Sequence, residues 1–104
     1  MKKYGLHGKL TAKAGQVDQL ADILIQASQL VAKAKGCQVY AIGRDADDPH
    51  SVWITEIWDS KEDHDNSLQA PEIRALIGQA MPLLDGRPEK GQELDIMGGV
   101  GVTK

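Results

Sequence analysis

Ser51-Val-Trp-Ile-Thr-Glu-Ile-Trp58 is the stretch that decides the architecture. Alternation at period two sets Val52, Ile54, Glu56 and Trp58 on one side of a strand and Trp53, Thr55 and Ile57 on the other. Both sides carry bulk. An antiparallel sheet in a small domain ordinarily wets one face, so a strand that is apolar on both faces expects cover on both. The chain's own helices can supply one cover; the second has to come from elsewhere. Within its apolar row Glu56 is the exception, because a carboxylate placed there must be paired or carry a raised pKa.

Working outward, residues 37 to 44 read as a strand, joined to the first stretch through the turn chemistry of Asp45-Ala-Asp-Asp-Pro-His50 in a hairpin. Residues 4 to 12 alternate as another strand, with Tyr4, Leu6, Gly8 and Leu10 on one face and His7 and Lys9 on the other. Ala14-Gly15 breaks that pattern. Val17, Leu20, Ala21, Leu24, Ala27, Val31 and Ala34 then recur at helical spacing down to Gly36, which suits a helix end. Downstream, Ser60 caps a short helix with Asp63 three residues on, and Pro71 opens a second helix predicted from Glu72 to Leu84. Ile73, Leu76, Ile77, Ala80 and Leu84 form its stripe, and Pro82 frays its end. Asp85 to Gly91 is turn chemistry, Gln92 to Met97 a last strand, and 98–104 a loose tail. The order strand, helix, strand, strand, helices, strand predicts an α+β, ferredoxin-like split βαβ domain spanning 1–104, its helices on one side of a four-stranded antiparallel sheet.

With 104 residues the chain is a single domain, and such a domain buries only about two-thirds of the surface exposed by its unfolded chain, so a partner subunit would help. A net charge of −3 leaves no basic field to follow a phosphate backbone, which argues against nucleic acid. No apolar run follows Lys2 and Lys3, and no stretch approaches membrane-spanning length, so a soluble cytoplasmic protein is expected. Cys37 is the only cysteine, which excludes an internal disulfide or a thiolate metal cluster and fits a reducing compartment. There are two Trp, two Tyr and no Phe, so aliphatic side chains must build most of the core and Trp53 and Trp58 stand out.

Several site types fail on spacing. Asp45, Asp47 and Glu56 match three positions of a calcium loop, but Pro49 and His50 occupy its fifth and sixth, where a ligand and the turn glycine belong. The glycine-rich tail precedes no helix that could aim amides at a phosphate. His7, His50 and His64 lack metal-ligand spacing, so no metal is expected. No Gly-x-Ser-x-Gly elbow occurs, and nothing marks Ser28, Ser51, Ser60 or Ser67 as a nucleophile.

The order strand, Glu56-x-Trp58, short acidic helix, Ala70-Pro71 step and second helix, with Gly15 after the first strand and Gly36-Cys37 before the second, resembles the antibiotic biosynthesis monooxygenase family over roughly residues 4 to 97. The resemblance implies a homodimer in which two ferredoxin-like sheets pack face to face as a dimeric α/β barrel. It also implies an aromatic substrate, a hydroquinone, anthrone or related phenol, oxidised by O₂ without metal or organic cofactor. Many members look like Trp followed nine residues later by His on the short helix. Here that position is Ser67, with His64 three residues earlier on the same helix face. On this pattern His7, Glu56 and His64 are the candidates for proton handling, Tyr40 and Trp58 for pocket walls, and Ser67 and Arg74 for further substrate contacts. Trp53 would lie under the dimer interface.

Each candidate has a structural alternative. Glu56 can make a structural hydrogen bond, Trp58 can be plain core, His64 can be solvated, His7 and Tyr40 can face a partner, and Arg74 can sit on a helix surface. The haem-degrading branch of the same fold relies on Asn, Trp and His at positions that align with Gly8, Ser67 and Ile77, which argues against haem breakdown. The same barrel also hosts isomerases and ligand-binding modules. Arg44, Arg74 or Lys9 converging on the pocket would mark an isomerase of a polar metabolite. A collapsed or wholly apolar cavity would mark a non-enzymatic module, and an apolar one with a single imidazole an oxygenase.

Overall fold

A computed structural model describes residues 2–102. The decisive stretch is a strand, β3 (Ser51–Trp58), and it pairs antiparallel on both sides, with β1 (Lys3–Thr11) and with β2 (Cys37–Arg44). The last strand, β4 (Gln92–Ile96), adds to the free side of β1, giving the order β2-β3-β1-β4. Between β1 and β2 runs α1 (Val17–Val31); after β3 come α2 (Lys61–Ser67), α3 (Pro71–Ala80) and a 3₁₀ turn at Met81–Leu83. This is the α+β, ferredoxin-like arrangement expected from the sequence.

Register decides which side chains meet. Tyr4 pairs with Trp58, Leu6 with Glu56, Gly8 with Ile54 and Leu10 with Val52, while Tyr40 and Ile42 of β2 lie opposite Glu56 and Ile54. That whole face turns toward α1 and α3. Leu20, Ile23, Leu24, Ala27 and Val31 descend onto it from α1, and Ile73, Leu76 and Ala80 from α3, around the fully buried Trp58 and Val52. On the opposite face His7, Trp53, Thr55 and Ile57 share a side with Val39, Ala41, Leu94 and Ile96, and no helix of the described residues packs there. The β2–β3 loop folds over one corner of it, where Asp45 accepts the Trp53 indole N–H at 2.8 Å and Lys9 Nζ lies 3.4 Å from Asp48.

Several element ends differ from expectation, β1 by one residue at each end. The helix predicted to reach Ala34 stops at Val31, because Lys33 and Ala34 donate to Leu30 and Val31, three residues back, in tightened turns. Gly36 then takes φ +85, and a Cβ there would overlap the Asp63 carboxylate, so the crossing into β2 needs glycine. The helix predicted to Leu84 ends as α-helix at Ala80 and closes in the 3₁₀ turn, since Pro82 has no N–H to continue the ladder. The last strand stops at Ile96, leaving Met97 83 % exposed. Residues 98–102 form no helix or strand; Thr103 and Lys104, the end of the predicted tail, lie outside the described residues, as does Met1.

Candidate active site

Between α1, α3 and the helix-covered face of the sheet lies a cavity of about 240 Å³. Its wall is aliphatic nearly throughout: Leu10 and Ile54 from the sheet, Ile23, Leu24 and Ala27 from α1, Leu76, Ile77 and Ala80 from α3. Among the described residues four polar side chains reach it, Tyr40, Glu56, His64 and Ser67, and no Lys or Arg side chain lines it. The cavity is therefore apolar with one imidazole.

Glu56 is 8 % exposed, and strand alternation delivers it to this face. Its Oε1 accepts the Trp58 indole N–H at 3.0 Å and lies 3.7 Å from His64 Nε2, within ion-pair reach but long for a hydrogen bond. Burial pushes the Glu56 carboxyl above its usual value, offset in part by the Trp58 N–H and by His64. The imidazole is held by its surroundings: its ring meets the Trp58 indole edge-on at 5.8 Å and the Tyr4 ring at 5.4 Å, and Nδ1 lies 2.9 Å from Asp65 Oδ1. If Nδ1 carries the proton toward Asp65, Nε2 presents a lone pair toward Glu56 and the cavity. Ser60 sets this helix in place, its hydroxyl accepting the Asp63 N–H at 3.1 Å, as expected from the sequence.

Tyr40 pairs across the strands with Glu56, and burial followed by the Glu56 charge pushes its phenol well above the usual range. It stays neutral near pH 7 and serves the cavity as a wall. Ser67 lines the cavity too, but its hydroxyl donates to the His64 carbonyl at 2.6 Å, closing the last turn of α2. Tyr4, whose hydroxyl donates to Glu93 at 2.9 Å, has its pKa raised to about 12, chiefly by burial.

Three predicted site residues stand apart from the cavity. His7 lies on the uncovered face, stacked on Trp53 at 4.5 Å with Nδ1 3.1 Å from Thr55 Oγ1. Trp58 is completely buried beneath Glu56, and orients it rather than forming a wall. Arg74 is exposed on α3 and is absent from the lining, as is Arg44, which pairs with Asp18. Asp65 escaped the sequence reading, because adjacent residues on a helix do not face one another and no spacing signals the contact. Among the described residues no group of three or more His, Cys, Asp or Glu side chains is arranged to hold a metal ion.

Fold and site together define a helix-covered, ferredoxin-like sheet enclosing an apolar cavity with a carboxylate and an imidazole at one end. Residues 4–79 match the family model for antibiotic biosynthesis monooxygenase, and the chain belongs to that family. A solved structure from Chloroflexus aurantiacus J-10-fl, described as a candidate antibiotic biosynthesis monooxygenase, is 37 % identical; the match covers 97 % of this chain and 99 % of the other at a TM-score of 0.87. A likewise described structure from Caulobacter crescentus CB15 is 17 % identical over 93 % of this chain and 92 % of its own, with a TM-score of 0.85. One from Nitrosomonas europaea is 13 % identical over 91 % and 90 %, with a TM-score of 0.86. At these last two identities the likeness is one of fold. Among curated proteins nothing matches the chain. No helix of the described residues is long and apolar enough to cross a membrane.

Proposed function

We propose that the chain is a cofactor-independent monooxygenase that oxidises a hydroquinone, anthrone or related phenol with O₂ inside the helix-covered cavity. The observation that carries this reading is an aliphatic cavity of about 240 Å³ whose one carboxylate and one imidazole stand 3.7 Å apart. A phenol binds there with its ring among the aliphatic side chains and its hydroxyl at Glu56 and His64. Moving the phenolic proton to Glu56 exchanges one buried negative charge for another, so deprotonation adds no new charge to the cavity. The raised pKa of the carboxyl brings it nearer that of a phenol and makes it a better base. The phenolate then passes one electron to O₂, the radical pair recombines to a peroxide, and loss of water leaves the quinone. One oxygen atom of O₂ enters the product, the other leaves as water, and every electron comes from the substrate. The chain contributes a water-poor, shaped enclosure and a place for the proton.

Oxygen uptake with a panel of hydroquinones and anthrones, run under ¹⁸O₂ with products read by mass spectrometry, tests this. Uptake above autoxidation with one labelled atom per product is expected; no member of the panel exceeding its autoxidation rate would refute it. A reducing cytoplasm suits both an easily oxidised hydroquinone and the single free thiol, Cys37.

We further infer that a second copy of the chain covers the other face. Trp53, Ile57, Val39, Leu94 and Ile96 share that face, with Leu94 still 47 % exposed, and a soluble protein rarely leaves such a surface to water. Sedimentation at micromolar concentration is expected to give a dimer; a stable single chain would refute the pairing.

A further inference from the structure

A second, smaller hollow of about 150 Å³ adjoins the main cavity on the same face of the sheet, walled by Leu6, Gly8, Leu10, Ile54, Glu56 and Gly91 together with the charged residues Lys9 and Glu89. Leu10, Ile54 and Glu56 line both spaces, so the two meet across the Glu56 side chain. The loop leading into β4 borders each in turn, Pro88 the larger and Glu89 the smaller.

The smaller hollow exists because strand and loop approach one another through two glycines. A Cβ on Gly91 would fall 2.9 Å from Leu6 Cδ1, so that position stays bare unless Leu6 moves. A Cβ on Gly8 would stand 3.7 Å from the Gly91 Cα, an ordinary contact. Gly8 is not among the glycines with positive φ, and it pairs with Ile54 inside β1, where strand geometry favours β-branched residues. The chain path therefore does not require glycine at position 8. What its missing side chain provides is the space above it.

We propose that this hollow receives a slender apolar substituent of the substrate, an alkyl chain next to the reacting hydroxyl that passes over Gly8 while the ring occupies the main cavity. The assignment rests on the phenolic reading in one respect, the hydroxyl at Glu56. A molecule anchored at that junction has one part on each side of it, and the part over Gly8 meets Leu6, Leu10 and Ile54. The hollow, about 150 Å³, has room for a short alkyl chain lying over the two glycines and against Leu6 and Ile54.

Binding rather than turnover tests this, by anaerobic calorimetry with 1-naphthol and 2-butyl-1-naphthol on the wild type, Gly8→Ala and Gly8→Val, each checked for thermal melting. Because every buried methylene strengthens binding several-fold, the butyl compound is expected to bind the wild type about tenfold or more tighter than 1-naphthol. That advantage should shrink in Gly8→Ala and vanish in Gly8→Val, with 1-naphthol itself within about twofold throughout, since the main cavity is unchanged. Should Gly8→Val not fold, the partial loss in Gly8→Ala carries the test. A butyl advantage absent from the wild type, or undiminished in both variants, overturns the assignment and leaves the phenolic reading intact. Equal loss of both ligands in the variants overturns it as well. Failure of 1-naphthol to bind the wild type contradicts the phenolic reading itself, and this inference with it.

Discussion

The two faces of one sheet carry similar bulk and opposite electrostatics. On the helix-covered face the buried carboxylate of Glu56 lies among aliphatic side chains and has its pKa raised by burial. On the other face the partly buried carboxylates Asp45 and Asp48 have theirs lowered, Asp45 by the Trp53 N–H first and Asp48 by the Ser51 hydroxyl first, with Lys9 assisting both. The first arrangement disfavours charge on its carboxyl; the second favours charge and fixes a loop. Each face also has an indole and an imidazole in contact, Trp58 edge-on to His64 and Trp53 stacked on His7. The first of these pairs adjoins the main cavity through His64. The same residue types thus serve as a site on one side and as a surface on the other, and what separates them is which side the helices cover.

The sharpest way to break this comparison is Glu56→Gln. It keeps an acceptor for the Trp58 N–H but removes the base, and kcat is expected to fall by about 10²–10⁴-fold, the usual contribution of a positioned acid or base, with oxygen uptake as the measurement. Trp58→Ala should come next, destabilising the fold by about 3–5 kcal/mol in denaturant titration because it empties a fully buried site. Trp53→Ala, at a residue only partly buried and outside the helix-covered core, should cost the single chain clearly less and act on self-association, read by sedimentation.

The pH response should separate the faces by sign. A carboxyl whose folded pKa is raised binds more protons when folded, so its contribution to stability declines as pH rises above the ordinary 4.5. Glu56→Gln should therefore gain stability over the wild type as pH rises from 4.5 toward neutrality, and lose that advantage below it. Asp45 behaves oppositely: its lowered pKa stabilises the fold above the ordinary 3.8, and that contribution is lost as pH falls through the folded value. Asp45→Asn should therefore be the less stable protein at neutral pH and converge with the wild type in acid. Thermal melting across pH 2 to 8 checks both; parallel curves for the two variants would contradict the assignment. The smallest effect belongs to His7→Ala, which should leave kcat within about twofold, an ordinary surface-type change, because His7 is remote from the cavity.

Much of this was legible in the chain. Period-two alternation in β3 placed Glu56 in an apolar row before any contact was known, and i, i+3 spacing put His64 on the helix face that Ser67 shares. Local pattern could not say which face of β3 the helices would take, because both rows are apolar. His7 and Glu56 were therefore both candidates until register and packing divided them. The stripe of α1 was legible as buried, but a helix lining a cavity and a helix filling a core show the same period, so nothing marked Leu24 and Ala27 as cavity wall. Trp58 read as a wall because an indole stacks well on a flat ligand, whereas here its N–H is spent on Glu56. The hollow over Gly8 left no positive signal at all, since what makes it is an absent side chain on each of two distant segments.

The most direct test compares oxygen uptake by the wild type, Glu56→Gln and His7→Ala on one hydroquinone at one pH. Uptake above autoxidation by the wild type and His7→Ala, with Glu56→Gln near background, is the expected result if proton transfer occurs on the helix-covered face. Full activity in Glu56→Gln, or loss in His7→Ala while the protein remains folded and associated, would contradict it.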